Sequence, residues 1–161
     1  MRYLALAFLC VGTLICAAGN TKPAKQDCQG ARAQLSTEEA AVLVSFQALL
    51  DGLGKRDKAA MMAQLLPGGS VVLMRNGKPA QMTLEMLADR LSQPGSETRE
   101  ERIHNAIVHV DGDVATVWAP FEFLVDGKID HCGRDIANLI HVDGRWMIAA
   151  IEDNGRKDCG A

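Results

Sequence analysis

Residues 130–146, DHCGRDIANLIHVDGRW, bring together side chains that can act as a base, a nucleophile or a ligand. His131, Cys132 and Asp135 lie close together in a stretch whose composition otherwise predicts a β-strand. Successive side chains of a strand point to opposite faces, so His131 and Asp135 share one face and Cys132 lies on the other. A nucleophile–base pair between Cys132 and His131 is therefore excluded within this strand, whereas a histidine or aspartate base remains possible.

Metal and nucleic-acid chemistry find little support in the sequence. His104 and His109 would face opposite sides of one strand, and His131 and His141 would lie about 33 Å apart along an extended strand. We therefore expect no metal and no other cofactor. The formal net charge is −3, and the chain has no basic run or basic patch interleaved with aromatic residues, so nucleic acid is not an expected partner.

Three helices are predicted from their N-terminal caps. Residues 36–39 (STEE) form a capping box, and the apolar residues that follow at helical spacing predict a long first helix. Asp57 can cap a second helix, Lys58–Leu66, which the following Pro-Gly-Gly would stop. Thr83 can cap a third helix, Leu84–Ser92.

The rest of the chain is predicted to be mainly sheet. Ser70–Met74 is a strand candidate, and the Asn76-Gly77 pair after it predicts a hairpin turn. The charged run Glu97–Arg102 is interpreted as a solvent-exposed loop. Asp-Gly, the preferred pair of a two-residue type I′ turn, recurs at Asp111-Gly112, Asp126-Gly127 and Asp143-Gly144. These turns predict four strands at roughly 101–110, 113–125, 128–142 and 145–153.

The predicted fold class is α+β, with three N-terminal helices packed on a curved antiparallel sheet that ends in a four-stranded meander. Two-residue turns fix the register, which places Glu122 beside His131 and a polar row on one face: Asn105, Trp118, Asp135 and Glu152. Both faces also carry many apolar residues, so we expect one to pack on the helices and the other on a second copy in a homodimer. A β-bulge would shift these pairs by one residue and exchange the faces.

Residues 1–19 are predicted to be a secretory signal peptide. Met1-Arg2 gives a positive start, and residues 3–18 are almost wholly apolar but shorter than a typical membrane span. The alternative is a lipoprotein signal with Cys16 lipidated, although the preceding Ile15 is larger than such signals normally have. We expect a periplasmic or secreted protein without membrane insertion after signal cleavage.

Three segments are predicted beyond the signal peptide: a flexible lead of residues 20–35, one domain of residues 36–154 and a C-terminal tail of residues 155–161. Export implies an oxidising compartment in which disulfides persist. We predict a disulfide between Cys28 and Cys159, near the two ends of the domain. Pairings that include Cys132 stay open at this point.

Two stretches carry a family resemblance: RDKAAMMAQLLPGG at residues 56–69 and DHCGRDIANLIHVDGRWMIAAI at residues 130–151. Together with the element order, they make residues 36–154 resemble the nuclear transport factor 2-like superfamily. The end of the second stretch, Gly144-x-Trp146-x-Ile148, is its most characteristic piece. The resemblance implies a cone-shaped α+β fold and a polyketide cyclase-like or lumazine-binding-like exported protein.

The resemblance also implies a pocket between the helices and the concave face of the sheet, the face that carries Trp146 and Ile148. The predicted ligand-binding residues at this pocket are Asn105, Trp118, Glu122, His131, Asp135 and Glu152. The candidates for catalysis are Asp135 and Glu152, as a coupled acid and base, and His131, as a base oriented by Glu122.

Three classes of function are compatible with this resemblance. We expect an exported domain that binds a small, partly apolar molecule. The first alternative is a lyase or isomerase that moves a proton next to a carbonyl, and the second is a non-catalytic dimeric interaction module. Ketosteroid isomerase-like and scytalone dehydratase-like sites use tyrosines, whereas the one tyrosine here, Tyr3, lies in the predicted signal peptide. The sequence leaves open whether the domain is an enzyme.

Overall fold

The structure, a computed structural model, describes residues 34–160. The predicted signal peptide and most of the predicted lead, including Cys16 and Cys28, lie outside the described residues. Within residues 34–160, no helix is long and apolar enough to cross a membrane.

The three predicted N-terminal caps are present. Ser36 Oγ accepts a hydrogen bond from the backbone N–H of Glu39 over 3.2 Å, and the Ser36 N–H donates to the Glu39 carboxylate over 2.7 Å. The predicted capping box is therefore confirmed. Asp57 and Thr83 accept from backbone N–H groups of the helices that they precede. The helices are α1 (Thr37–Lys55), α2 (Lys58–Met62) and α3 (Leu84–Leu91).

Within the described residues, seven strands form one open sheet: β1 (Leu65–Arg75), β2 (Lys78–Thr83), β3 (Arg99–Ile103), β4 (Ile107–Asp111), β5 (Val114–Val125), β6 (Lys128–Val142) and β7 (Arg145–Asp153). Their order is β2-β1-β7-β6-β5-β3, and β4 also pairs with β5. β1 runs parallel to β7, whereas the other neighbours are antiparallel. The α+β class is confirmed, but the prediction of a wholly antiparallel sheet is wrong.

The second helix is shorter than predicted because the chain joins the sheet earlier. Leu65 is buried and already pairs with Ile148 of β7, so strand pairing overrides the helical pattern there. The Pro-Gly-Gly of residues 67–69 lies at an irregularity within β1 rather than at a helix end. A Cβ on Gly69 would lie 2.6 Å from the carbonyl oxygen of Ala149, so this close approach requires glycine.

The charged run Glu97–Arg102, predicted to be a loop, contains most of β3. This strand pairs antiparallel with the end of β5, and Glu101 lies opposite Phe123. Alternate side chains of β3 are partly buried, namely those of Arg99, Glu101 and Ile103. Charged residues are common on edge strands, so the charge of this run did not exclude a strand.

The three predicted Asp-Gly turns all lie at hairpins, but the first turn is displaced. Asp126-Gly127 and Asp143-Gly144 have positive φ at both positions, as a type I′ turn requires. In the first hairpin Asp111 pairs with Val114, so the turn residues are Gly112-Asp113.

Two extra residues change the register within the long hairpins. Asp130 of β6 has no partner between the Leu124–Ile129 and Phe123–His131 pairs, and the pairing with β5 shifts by one at that point. The pairing of β6 with β7 shifts in the same way at Ala149. A bulge turns the side chains beyond it to the other face of the sheet.

The predicted polar row is therefore wrong. Asp135 lies opposite Ala119 of β5 and Asp153 of β7, instead of opposite Trp118 and Glu152. One face of the sheet, called here the helix-covered face, packs against α1 and α3 around a core that includes Val42, Phe46, Leu84, Val117, Ala137, Leu139, Trp146 and Ile148. The exposed apolar side chains of the other, open face include Ile107, Val114 and Trp118.

The C-terminal tail continues the pairing of β7 along β6. Cys132 and Arg156 form two backbone hydrogen bonds of 3.0 and 2.8 Å, and Cys159 then forms a disulfide with Cys132. The predicted bridge between Cys28 and Cys159 is therefore wrong. The partner of Cys159 was predicted wrongly because the tail returns to β6 through strand pairing, which cysteine spacing does not reveal.

We expect reduction of the Cys132–Cys159 disulfide to lower the free energy of unfolding by about 2–4 kcal/mol, because the bridge restricts the unfolded chain. It spans a sequence separation of 27. Urea unfolding with and without a reductant measures the effect. The unfolding midpoint of Cys159→Ser should be the same with and without the reductant. The midpoint of Cys28→Ser should fall on reduction, as it does for the wild type. An unchanged wild-type midpoint after verified reduction would contradict this prediction.

Candidate functional site

A cavity of about 150 Å³ lies between the helix-covered face of the sheet and the helices α1 and α3. Its apolar lining comes from both helices and three strands: Phe46, Leu49, Leu50, Leu53, Leu73, Leu87, Leu91, Phe123 and Ile151. Its polar lining comes from the sheet alone: Arg75, Glu101, His131, Asp135 and Asp153. The cavity therefore combines an apolar helical wall with a polar strip on the sheet.

The strand order brings these polar side chains together. Arg75 ends β1, Asp153 ends the neighbouring β7, and Asp135 lies on β6 directly opposite Asp153. Glu101 comes from β3, on the far side of β5. β5 presents Ala119 opposite Asp135, and this small side chain leaves room for Glu101 and Asp135 to meet.

Arg75 and Asp153 form a bidentate ion pair. Both Nη atoms of Arg75 donate to the two carboxylate oxygens of Asp153, and the Nη2–Oδ2 distance is 2.6 Å. Arg75 Nη1 also donates to the carbonyl of Met74 over 2.9 Å. The hydrogen bond with Asp153 raises the pKa of Arg75, so this guanidinium stays charged and its charge is already compensated.

Asp135 is the one polar or charged residue of the described chain that is classed as buried, with 4% of its surface exposed. Its carboxyl group hydrogen-bonds the carboxyl group of Glu101, and its Oδ2 atom has no hydrogen-bond partner within residues 34–160. Burial raises the pKa of Asp135 well above its ordinary value, and the nearby charges of Glu101 and Asp153 raise it further. The protonated form of Asp135 is therefore favoured in the folded chain.

Glu101 is the second carboxyl group of this pair. Burial raises its pKa to about 7, and the charge of Asp153 adds to the rise, while the hydrogen bond from Asp135 and the charge of Arg75 oppose it. Because that hydrogen bond favours the ionised form of Glu101, Asp135 is the donor and Glu101 the acceptor. The two carboxyl groups lie side by side with raised pKa values, an arrangement in which one can act as an acid and the other as a base.

His131 lines the same cavity but has a different carboxylate partner from the predicted one. Its Nδ1 lies 2.9 Å from Asp130 Oδ2, and its ring stacks on Phe123 at a centroid distance of 4.8 Å. Glu122 instead lies opposite Cys132 and contacts His104 over 3.3 Å. The predicted Glu122–His131 pair is therefore wrong, although a carboxylate does orient this histidine.

Of the six predicted ligand-binding residues, His131 and Asp135 line the cavity and the other four do not. Trp118 lies on the open face, where 41% of its surface is exposed and Arg134 lies 5.2 Å above its ring. Glu152 lies opposite Ile136 and accepts a hydrogen bond from Asn138 over 3.4 Å. Glu122 lies near His104, and Asn105 is exposed between β3 and β4.

The sequence interpretation missed Arg75, Glu101 and Asp153. Glu101 alternates with Arg99 and Ile103, a period-two pattern that predicts a shared face once the segment is read as a strand. Arg75 and Asp153 come together only through the parallel pairing of β1 with β7. Within residues 34–160, no group of three or more His, Cys, Asp or Glu side chains could hold a metal ion.

The fold and the cavity define a protein of the nuclear transport factor 2-like class. The model of a family described as "Putative lumazine-binding" matches residues 37–151, more than half of the chain. The chain therefore belongs to this family. No curated protein matches it with significant sequence similarity.

Solved structures share this fold. A nuclear transport factor 2-like protein from Cytophaga hutchinsonii aligns with a TM-score of 0.63 and 16% identity, over 76% of this chain and 100% of that one. A similar protein of unknown function from Shewanella baltica aligns with a TM-score of 0.59 and 15% identity, over 76% and 98%. A Streptomyces avermitilis protein described as a "putative dehydratase" aligns with a TM-score of 0.61 and 15% identity, over 74% and 96%. These identities show the fold alone.

We expect the stability of the chain to depend on pH through Glu101. Its pKa is about 7 in the folded chain against an ordinary value of 4.5, so folding favours the protonated form. The resulting stability is complete below about pH 4.5 and is lost as the pH rises through about 7. Glu101→Gln removes this dependence. The free energy of unfolding of the wild type should therefore fall, relative to this variant, by up to about 3 kcal/mol over that range.

Urea unfolding at a series of pH values measures this difference. Glu152→Gln makes the same chemical change on the open face and should follow the wild type. A difference between wild type and Glu101→Gln that stays constant with pH would contradict the burial of an ionisable Glu101.

Proposed function

We propose that the domain binds a small, largely apolar molecule in the cavity, with the polar part of that molecule against Asp135 and Glu101. The observation that carries this proposal is Asp135, which lines the cavity and whose buried Oδ2 atom has no hydrogen-bond partner within residues 34–160. Leaving a buried polar atom unpaired costs about 1–3 kcal/mol. A ligand that donates a hydrogen bond to this oxygen would remove that cost.

The size of the cavity limits the ligand. A volume of about 150 Å³ matches that of an engineered apolar cavity that holds benzene, and it is smaller than the usual pocket for a drug-sized molecule. We propose that the buried part of the ligand is about the size of one ring. The apolar side chains of α1 and α3 would contact this ring, and the sheet would bind its polar edge.

The description of the family points to lumazine as one compound to test. Lumazine is a flat heterocycle that carries N–H groups, and these could donate to Asp135 Oδ2 and to Glu101. Lumazine has two fused rings, so only part of the molecule would fit within a cavity of about 150 Å³.

We expect Glu101→Gln to weaken lumazine binding at least tenfold, because the variant replaces an ionisable carboxylate acceptor beside Asp135 with a neutral amide whose oxygen is a weaker acceptor. Calorimetric titration or quenching of lumazine fluorescence measures the affinity. Glu152→Gln is the matched control, since it makes the same substitution on the opposite face and should bind like the wild type. Equal weakening by the two variants would show that lumazine binds elsewhere. If wild type does not bind lumazine, native mass spectrometry of the purified chain would search for another ligand.

A second candidate is a lyase or isomerase that transfers a proton next to a carbonyl. The observation that favours it is the pair of adjacent carboxyl groups, in which the pKa of Asp135 is raised well above its ordinary value and that of Glu101 is raised to about 7. Asp135 would donate to the carbonyl oxygen while Glu101 removes a proton from the neighbouring carbon.

Deuterium exchange tests this second candidate. The chain should accelerate deuterium incorporation next to the carbonyl of a one-ring ketone such as cyclohexanone, followed by NMR in deuterated water. Glu101→Gln should abolish the acceleration and Glu152→Gln should keep it. An exchange rate equal to that of buffer would argue against this activity for ketones of that size.

Export and dimerisation complete the proposal. The Cys132–Cys159 disulfide supports a periplasmic or secreted location, since such bonds persist in oxidising compartments.

Ile107 and Val114, each 52% exposed, and the nearby Trp118 support a homodimer through the open face. Sedimentation equilibrium should show a wild-type dimer that Trp118→Glu dissociates, whereas a monomeric wild type would contradict the dimer. A non-catalytic interaction module would have its pocket filled by its own side chains, and the cavity of about 150 Å³ does not support this alternative.

A further inference from the structure

We propose that the cavity selects ligands that carry a positively charged nitrogen, such as an amidinium or ammonium group, over neutral and anionic ligands of the same size. This inference rests on the proposed function and names the chemical class of the ligand. It is carried by the composition of the polar strip, by the pairing of Arg75 and by the unpartnered oxygen of Asp135.

The charged groups of the cavity are unbalanced. β3, β6 and β7 each contribute one carboxyl group, those of Glu101, Asp135 and Asp153, whereas β1 contributes one guanidinium, that of Arg75. His131 of β6 adds an imidazole, and the side chains of α1 and α3 that line the cavity are all apolar. A ligand therefore meets more carboxyl groups than cations.

The single guanidinium does not compensate all three carboxyl groups. Arg75 uses both Nη atoms to bind Asp153 and one of them to bind the Met74 carbonyl. Glu101 and Asp135 consequently bind each other through a proton, because no cation of residues 34–160 forms an ion pair with either of them. A ligand cation could take the place of that proton, since it would supply the missing positive charge.

The free acceptor atom also favours a donor-rich ligand. Asp135 Oδ2 is buried and has no hydrogen-bond partner among the described residues, and an ionised Glu101 can only accept hydrogen bonds. An amidinium group offers two parallel N–H donors in the geometry that matches carboxylate oxygens. A carboxylate ligand, by contrast, would bring a further negative charge to a site that already holds three carboxyl groups.

The aromatic residues of the cavity suit a flat ligand body. Phe123 and His131 are stacked and line the cavity from the sheet, while Phe46 lines it from α1. A one-ring compound with a cationic group would place its ring among these side chains and its nitrogen atoms at the carboxyl pair. The cation would also be attracted by the faces of the phenylalanine rings.

Three isosteric probes test the inference on the wild-type chain: benzamidine, benzamide and benzoate. Calorimetry at about pH 7.5 should show benzamidine binding at least tenfold more tightly than benzamide, and benzoate binding should be the weakest. The affinity for benzamidine should fall as the pH drops below about 7, where Glu101 becomes protonated. Titrations in buffers of different ionisation heat should then show protons released on binding.

The matched variants locate the effect. Glu101→Gln should lower the affinity for benzamidine at least tenfold, towards that for benzamide, whereas Glu152→Gln should leave it unchanged. Equal losses in both variants would overturn the inference, because they would indicate attraction by the overall charge. If Glu101→Gln does not fold, the order of the affinities of the wild-type chain for the three probes still tests the inference.

Two outcomes separate this inference from the proposed function. If benzamide binds as tightly as benzamidine or more tightly, the charge preference is wrong and the cavity remains a binding site. If none of the three probes binds, both the charge preference and the binding of one-ring ligands in this cavity are wrong.

Discussion

The burial of Asp135 depends on two extra residues, Asp130 in β6 and Ala149 in β7. Each turns the side chains beyond it to the other face of the sheet, and together they place Asp135 and Asp153 side by side on the helix-covered face. With regular pairing from both turns, Asp135 would lie opposite Trp118 and Glu152. The polar strip, the cavity and the proposed ligand preference all follow from these two local irregularities of the backbone.

Burying acidic groups at this position has an electrostatic cost that the chain meets in two ways. Arg75 neutralises Asp153 through a bidentate pair, which satisfies both groups. Burial instead raises the pKa values of Glu101 and Asp135, because an ionised pair in this position would be strongly unfavourable. A site of this kind is destabilised as the pH rises, and strongly raised pKa values beside a cavity are typical of functional sites.

The sequence predicts much of this fold because its local signals are strong. The capping box at residues 36–39 and the caps Asp57 and Thr83 mark the helix starts, and the Asp-Gly turns define the hairpins. The bulges at Asp130 and Ala149 have no comparable signal, since neither residue is a glycine with an unusual backbone conformation. For that reason, the predicted strand register is wrong beyond these two residues.

The candidate site was predictable only in part. Asp135 and His131 were identified as cavity residues from the strand and the family resemblance, and both line the cavity. Glu101 was missed because a highly charged run suggested a loop, and Arg75 because parallel pairing between β1 and β7 joins segments that are far apart in sequence. Long-range pairing of this kind is not encoded in local periodicity.

The central claim is that Asp135 and Glu101 form a buried, proton-sharing pair, and the most direct measurement is an NMR titration of the side-chain carboxyl carbons. The account predicts one glutamate that titrates near pH 7 and one aspartate that titrates well above the ordinary range for aspartate. Glu101→Gln should remove the glutamate signal and shift the aspartate titration. If every aspartate and glutamate carboxyl group titrates below about pH 5, in the ordinary range for these residues, the pair does not exist and the account is wrong.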